Sequence, residues 1–202
     1  MRATFWILGL LLTILTATAV LADDKSGLDG EGFLQRWIVL APIPLADVSG
    51  EDGLAKEYLK NEGSLKPKAL DKVKVGDTEH TWKEYTAKDH NLDFNDFLGK
   101  ETEDSVGYAV TFIVSPEELA GIKMKTGSDD HCKVFLNGKE VFKYNDERPA
   151  EKDQDITEVT LKKGINVMVV KVVNVKADWT FCVRFTDKDD KPITKLQSKS
   201  AE

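Results

Sequence analysis

Two adjacent carboxylates, Asp129 and Asp130, follow Gly127-Ser128 and precede an apolar run from Cys132 to Leu136. Hard oxygen donors side by side suit Ca²⁺, which takes several oxygens at once and tolerates irregular geometry. The same pair could equally form an Asx-type turn that keeps a strand connection soluble, because a calcium site needs more ligands than two side chains supply. Asp153 and Asp155 offer similar chemistry on another loop. The run Asp187-Lys188-Asp189-Asp190 resembles a calcium loop only superficially: it lacks the turn glycine, and Ser198 stands where a closing glutamate belongs.

Other side chains invite a ligand or a structural role in turn. Lys171 interrupts the apolar stretch Val167 to Val175, and a buried ammonium needs a carboxylate partner, for which Asp129, Asp130 and Asp155 are candidates. The alternative is a sugar-hydroxyl contact from a cleft. Arg184 poses the same choice. Among the aromatics, Trp37 and Trp179 sit inside apolar strands and read as core, whereas Trp82, Tyr85 and Phe135 are the candidates for an exposed stacking platform. Catalytic templates fail: there is no Gly-x-Ser-x-Gly elbow, no His-Glu-x-x-His, no phosphate loop, and His80, His90 and His131 have no zinc spacing. A glycosidase carboxylate pair is defined in space, so abundance of acids does not identify one.

These residues must be positioned by strands. Residues 1–22 have the order of a cleaved secretory signal: Arg2, an apolar run from Phe5 to Leu15, then small residues ending at Ala22. That run is too short to span a bilayer, and no prenyl or myristoyl motif is present, so a soluble secreted or periplasmic protein without a membrane span is expected. The remaining residues, about 180, suit one domain. The net charge of -7 is spread along the chain with lysines interleaved, which argues against nucleic acid, because phosphate binding needs a concentrated cationic stripe.

The strand pattern begins with Phe33 to Leu40, stopped by Pro42 and Pro44. A short helix is expected over Gly53 to Asn61, capped by Gly63. Val106 to Val114 is apolar on both faces and reads as a mostly buried strand. Asn137-Gly138 predicts a hairpin that sets Val134 across from Val141, and a second hairpin is expected to join Ile156–Leu161 with Val167–Val175. Residues 23–32 and 188–202 are read as flexible polar ends around a domain over 33–187. Cys132 and Cys182 leave pairing open: export permits a disulfide, while strand alternation can turn the two thiols apart. The fold expected is all-β, a two-sheet antiparallel jelly-roll β-sandwich with one short helix.

Three motifs carry a resemblance: Gly127-Ser128-Asp129-Asp130, Val134-Phe135-Leu136-Asn137-Gly138-Lys139, and Leu161-Lys162-Lys163-Gly164-Ile165-Asn166 with its apolar strand. Together with the opening Phe33–Pro42, they are similar to the galactose-binding-domain-like β-sandwiches. These include the sugar-binding domains of family 2 glycoside hydrolases and related bacterial secreted accessory modules. The resemblance implies an exported, non-catalytic carbohydrate-binding-type module whose partners are glycans. The Asp-Asp pair also resembles, locally, the pair that holds calcium and sugar hydroxyls in yeast flocculin lectin domains and protective-antigen-type sandwiches, although His131 replaces the usual glycine. Two alternatives stand beside this expectation: a structural or protein-interaction domain of the cell envelope, and a small glycoside hydrolase.

Overall fold

A computed structural model describes residues 26–202; the signal read over 1–22 lies outside the described residues. In chain order the elements are β1 (Arg36–Pro44), α1 (Gly50–Ala55), a 3-10 turn (Glu62–Ser64), β2 (Lys72–Val75), β3 (Thr78–Thr81), β4 (Lys83–Thr86), β5 (Leu92–Asp93) and α2 (Phe94–Leu98). Then follow β6 (Ser105–Ser115), β7 (Leu119–Asp129), β8 (His131–Leu136), β9 (Lys139–Tyr144), β10 (Asp155–Leu161), β11 (Gly164–Asn174), β12 (Thr180–Thr186) and β13 (Gln197–Lys199).

The strands form an all-β sandwich. One sheet has the order β4-β1-β6-β11-β8-β9, with β13 also on β6; the other has the order β10-β7-β12-β5, and β2-β3 is a separate hairpin. Every pairing is antiparallel. Apolar side chains of the two sheets meet in a core that includes Trp37, Met124, Val134, Val170, Phe181 and Phe185. A second cluster, with Leu40, Tyr108, Val110, Phe112 and Val169, lies on the other face of the larger sheet, covered by Leu45, Leu54, Leu59 and Trp82. β6 and β11 therefore bury both faces, which is why they read as near-continuous apolar runs.

The helical content is small but differs from expectation. α1 stops at Ala55, started by the Ser49 hydroxyl accepting the Asp52 N–H at 3.1 Å, and Gly63 lies within the 3-10 turn rather than capping a longer helix. α2 is a second short helix, closed by Gly99 at φ 68.

Several strand expectations change as well. β1 continues through Pro42 to Pro44 by a register shift between Leu40 and Ile43, because a bulge accommodates the missing donor. The Asn137-Gly138 hairpin is present, yet a bulge at Val134/Phe135 sets Val134 opposite Phe142 rather than Val141. The second hairpin does not form: β10 pairs with β7 and β11 with β6 and β8, so Lys162-Lys163 carries the chain from one sheet to the other.

The chain ends are also used. Of the end read over 23–32, residues 23–25 lie outside the described residues, while Leu28 is buried and bridged to Leu34. Within 188–202, β13 pairs with Phe112–Val114 while Leu196 and Ser198 are buried. The Ser198 hydroxyl donates to the Arg36 carbonyl at 3.0 Å, so this end completes the row of β6 partners that β1 leaves unfilled.

Candidate functional site

β7 ends at Asp129 in the smaller sheet and β8 begins at His131 in the larger one. Asp130 is thus the corner at which the chain changes sheets, and the Asp129–Asp130 peptide bond is cis. Gly127-Ser128 is strand, not turn: a Cβ on Gly127 would come 1.8 Å from the Glu151 carbonyl oxygen, so glycine is required by a passing loop.

Both carboxylates are mostly removed from solvent, at 8% exposure for Asp129 and 5% for Asp130. Asp130 is fixed by backbone donors: the Arg148 N–H reaches Oδ1 at 3.2 Å and the Val175 N–H reaches Oδ2 at 3.0 Å. Asp129 faces other acids. Burial, then the charges of Asp130 and Asp178, push its pKa up to about 7. Among the described residues no Lys or Arg forms an ion pair with either carboxylate. Lys176, which feels the Asp130 charge, pairs with Glu147 at 3.1 Å instead.

The loop 145–154 makes one wall of this corner, and Arg148 holds it there. Its guanidinium donates to the Ser128 carbonyl at 3.3 Å, to the Ser128 hydroxyl at 3.2 Å and to Asp155, and it stacks 3.5 Å above the Tyr144 ring. His131, buried beside the pair, contacts Asn145 Oδ1 at 3.2 Å through Nδ1. A Cβ on Gly50 would meet its Nε2 at 2.3 Å, so the start of α1 closes the other side.

The donor set suits a hard cation but does not complete a shell. Among the described residues there is no group of three or more His, Cys, Asp or Glu side chains placed to hold a metal. Asp129 and Asp130 could supply the first oxygens, while Ca²⁺ takes 6–8, so backbone carbonyls, water or ligand hydroxyls would supply the rest.

The other sequence candidates separate. Trp82 is buried in the outer-face cluster, which includes Leu59 and has Val73 and Val75 packed against it, not exposed: its large apolar area is better placed there than in water. Lys171 is fully buried, and its partner is Glu62 at 3.1 Å rather than Asp129, Asp130 or Asp155. It also donates to the carbonyls of Leu54 at 3.2 Å and Lys56 at 2.5 Å. Arg184 makes a two-point bond to Asp153 at 2.9 and 2.5 Å and covers the Phe33 ring, a structural use. Asp153 also pairs with Lys125, which in turn binds Asp190.

Phe135 is half-buried against Gly63, with the Lys133 ammonium 5.9 Å over its ring. It lines an open depression with Asn61, Ser64 and Glu140, far along β8 from the Asp pair. Tyr85 is half-buried, its hydroxyl donates to Asp96 at 2.5 Å, and its ring meets Phe97 edge-on. Cys132 and Cys182 are both buried free thiols, and burial pushes each pKa up to about 12.

Arg148, Asp178 and the Val175 N–H were not anticipated from sequence. Arg148 stands 18 residues beyond Asp130 in a polar loop, and nothing in its local pattern marks it as a neighbour of the pair.

No protein-family model matches the sequence, and no curated protein matches it. Solved structures with a similar chain path include the PA14 sugar-binding domain of an RTX adhesin, at 14% identity and TM-score 0.36, over 83% of this chain and 78% of that one. The PA14 domain of the antifreeze protein MpAFP is 11% identical with TM-score 0.39, over 85% and 92%. A GH31 α-xylosidase from Xanthomonas citri is 11% identical with TM-score 0.31, over 57% of this chain and 13% of that one. None of the three is a sugar-binding domain of a family 2 glycoside hydrolase. All three TM-scores lie below 0.5, so the site rests on this chain's own residues.

Proposed function

We propose that this chain is an exported, non-catalytic carbohydrate-binding-type module that takes glycan hydroxyls at the Asp129–Asp130 corner, with calcium as the bridging ion. One observation carries the reading: two adjacent, nearly buried carboxylates have no cationic side chain paired to them among the described residues. Buried charge of one sign is costly unless something of the other sign compensates it. A bound Ca²⁺ would supply that compensation, together with coordination positions open to neutral hydroxyl oxygens.

The chain's own residues do the positioning. Backbone N–H groups of Arg148 and Val175 hold the Asp130 carboxylate, and each of its oxygens keeps further acceptor capacity. The Arg148 clasp fixes the wall against which a sugar would rest. The signal-like residues 1–22 support placement outside the cytoplasm.

The test is glycan binding by the purified domain with calcium chloride and then with chelator. Retention on a glycan array that disappears with chelator and in Asp129→Asn supports the reading. A wild-type domain that binds no saccharide in either condition would falsify it.

A further inference from the structure

Asp129 does not stand alone on its face of the smaller sheet. Its cross-strand partner on β12 is Thr180, and Thr180 is in turn the partner of Asp93 on β5. Residues directly opposite in antiparallel strands point to the same side. The neighbours Ser128, Phe181 and Leu92 are buried, so Asp129, Thr180 and Asp93 form one row on the outer side. Two strand spacings separate its ends, roughly 10 Å.

The far end of the row opens into a pocket of about 180 Å³ lined by Tyr85, Lys88, Asn91, Asp93, Asp96 and Thr180. That is below the roughly 300–1,000 Å³ of a site that holds an entire small-molecule ligand, so it has room for one unit of something longer. Its groups are not equally free. Asp96 is engaged by Tyr85 and Lys88, and Asp93 Oδ1 accepts the Asp96 N–H at 3.0 Å. The Asn91 side-chain oxygen is buried with no hydrogen-bond partner among the described residues, although its backbone N–H donates to Asp89 at 2.8 Å. Asn91 lines the pocket, and a buried acceptor left unmade is a cost that a small shift of its amide toward a donating ligand removes.

We infer that the ligand is an oligosaccharide, one unit at the Asp129 corner and the next along the Thr180 row in the Tyr85–Asn91 pocket. This inference rests on the carbohydrate-binding reading and adds the length and charge of the ligand. Acids outnumber the single lysine in the pocket, which lies beyond the calcium-filled corner. A neutral hydroxyl-rich unit is therefore accepted in the pocket and a uronic acid is repelled there.

The experiment titrates the full domain, in calcium chloride, with neutral hexose and pentose mono-, di- and trisaccharides and with uronic-acid oligomers of matching length. The disaccharide of the preferred sugar should bind about tenfold more tightly than its monosaccharide, and a disaccharide with a uronic acid as its pocket unit more weakly than the neutral one. Asn91→Ala and Thr180→Val should each lower the disaccharide-to-monosaccharide ratio several-fold while the monosaccharide affinity and unfolding midpoint stay put. Valine keeps the β-branched shape that strand β12 packs, so loss of the hydroxyl is isolated from loss of fold. Equal affinity for one and two units, or a ratio that neither variant changes, overturns the row. Absence of any saccharide binding by the wild type overturns both this inference and the function beneath it.

Discussion

The larger sheet and the sandwich corner each bury charge, and they treat it in opposite ways. Lys171, with its side chain fully out of solvent, meets Glu62 and two backbone carbonyls; Glu62 in turn accepts the Tyr108 hydroxyl and the Tyr58 N–H. Lys171 lies across from Tyr108 in the β6–β11 register, so both reach the same carboxylate under α1 and the 3-10 turn. The cluster is closed. At the corner, Asp129 and Asp130 are nearly as buried but have neighbours of the same sign. Complete pairing marks a charge as a fastening between layers, whereas a deficit of counter-charge marks a place that something else must fill.

The largest effect that sharpens this contrast is expected at Lys171. Lys171→Met leaves Glu62 buried without its cation and should cost about 3–5 kcal/mol in urea unfolding, with part recovered when Glu62→Gln is added. Loss of less than about 1 kcal/mol would mean the pair is no fastening.

Calcium should act next, and only on the corner. At a hundredfold excess over its Kd the ion should stabilise the native state by about 2.7 kcal/mol, read by thermal melting, and the gain should vanish in Asp129→Asn. This gain should shrink as pH falls below about 7, where Asp129 is protonated and ligates poorly. Without metal the sign is reversed. Folding raises this pKa from 3.8, so proton uptake favours the fold at low pH and that contribution is lost as pH rises through about 7. Metal-free Asp129→Asn should then be at least as stable as wild type above pH 7, the opposite of Lys171→Met.

Arg148→Ala comes third. It frees the wall loop from Ser128, Asp155 and Tyr144, and should cost about 1–3 kcal/mol while weakening calcium binding. The smallest effect belongs to the exposed Lys72–Glu79 pair of the β2-β3 hairpin, at 2.8 Å: Lys72→Ala should leave the unfolding midpoint unchanged, as solvent screening predicts.

Much of the sandwich was readable from period alone. The two-sided apolar run Val106–Val114 becomes the central strand β6, and Asn137-Gly138 turns β8 into β9. Which sheet a strand joins was not readable. β10 and β11 have the look of a hairpin, yet β11 is apolar on both faces and lies between β6 and β8, leaving β10 to pair with β7. β13 is three residues in a polar stretch, and it forms because β6 has an unfilled length beyond β1.

The site divides along the same line. Sequence by itself determined the long apolar strand segments, the absence of a cationic stripe, and the two neighbouring acids, because these depend on residue type and near spacing. Only the tertiary structure decided that Glu62 answers Lys171, that Trp82 is covered, and that Arg148, Asp178 and Thr180 surround or extend the acid pair. Those relations join residues from different strands and loops, and packing of the two sheets, not local propensity, sets which of them meet.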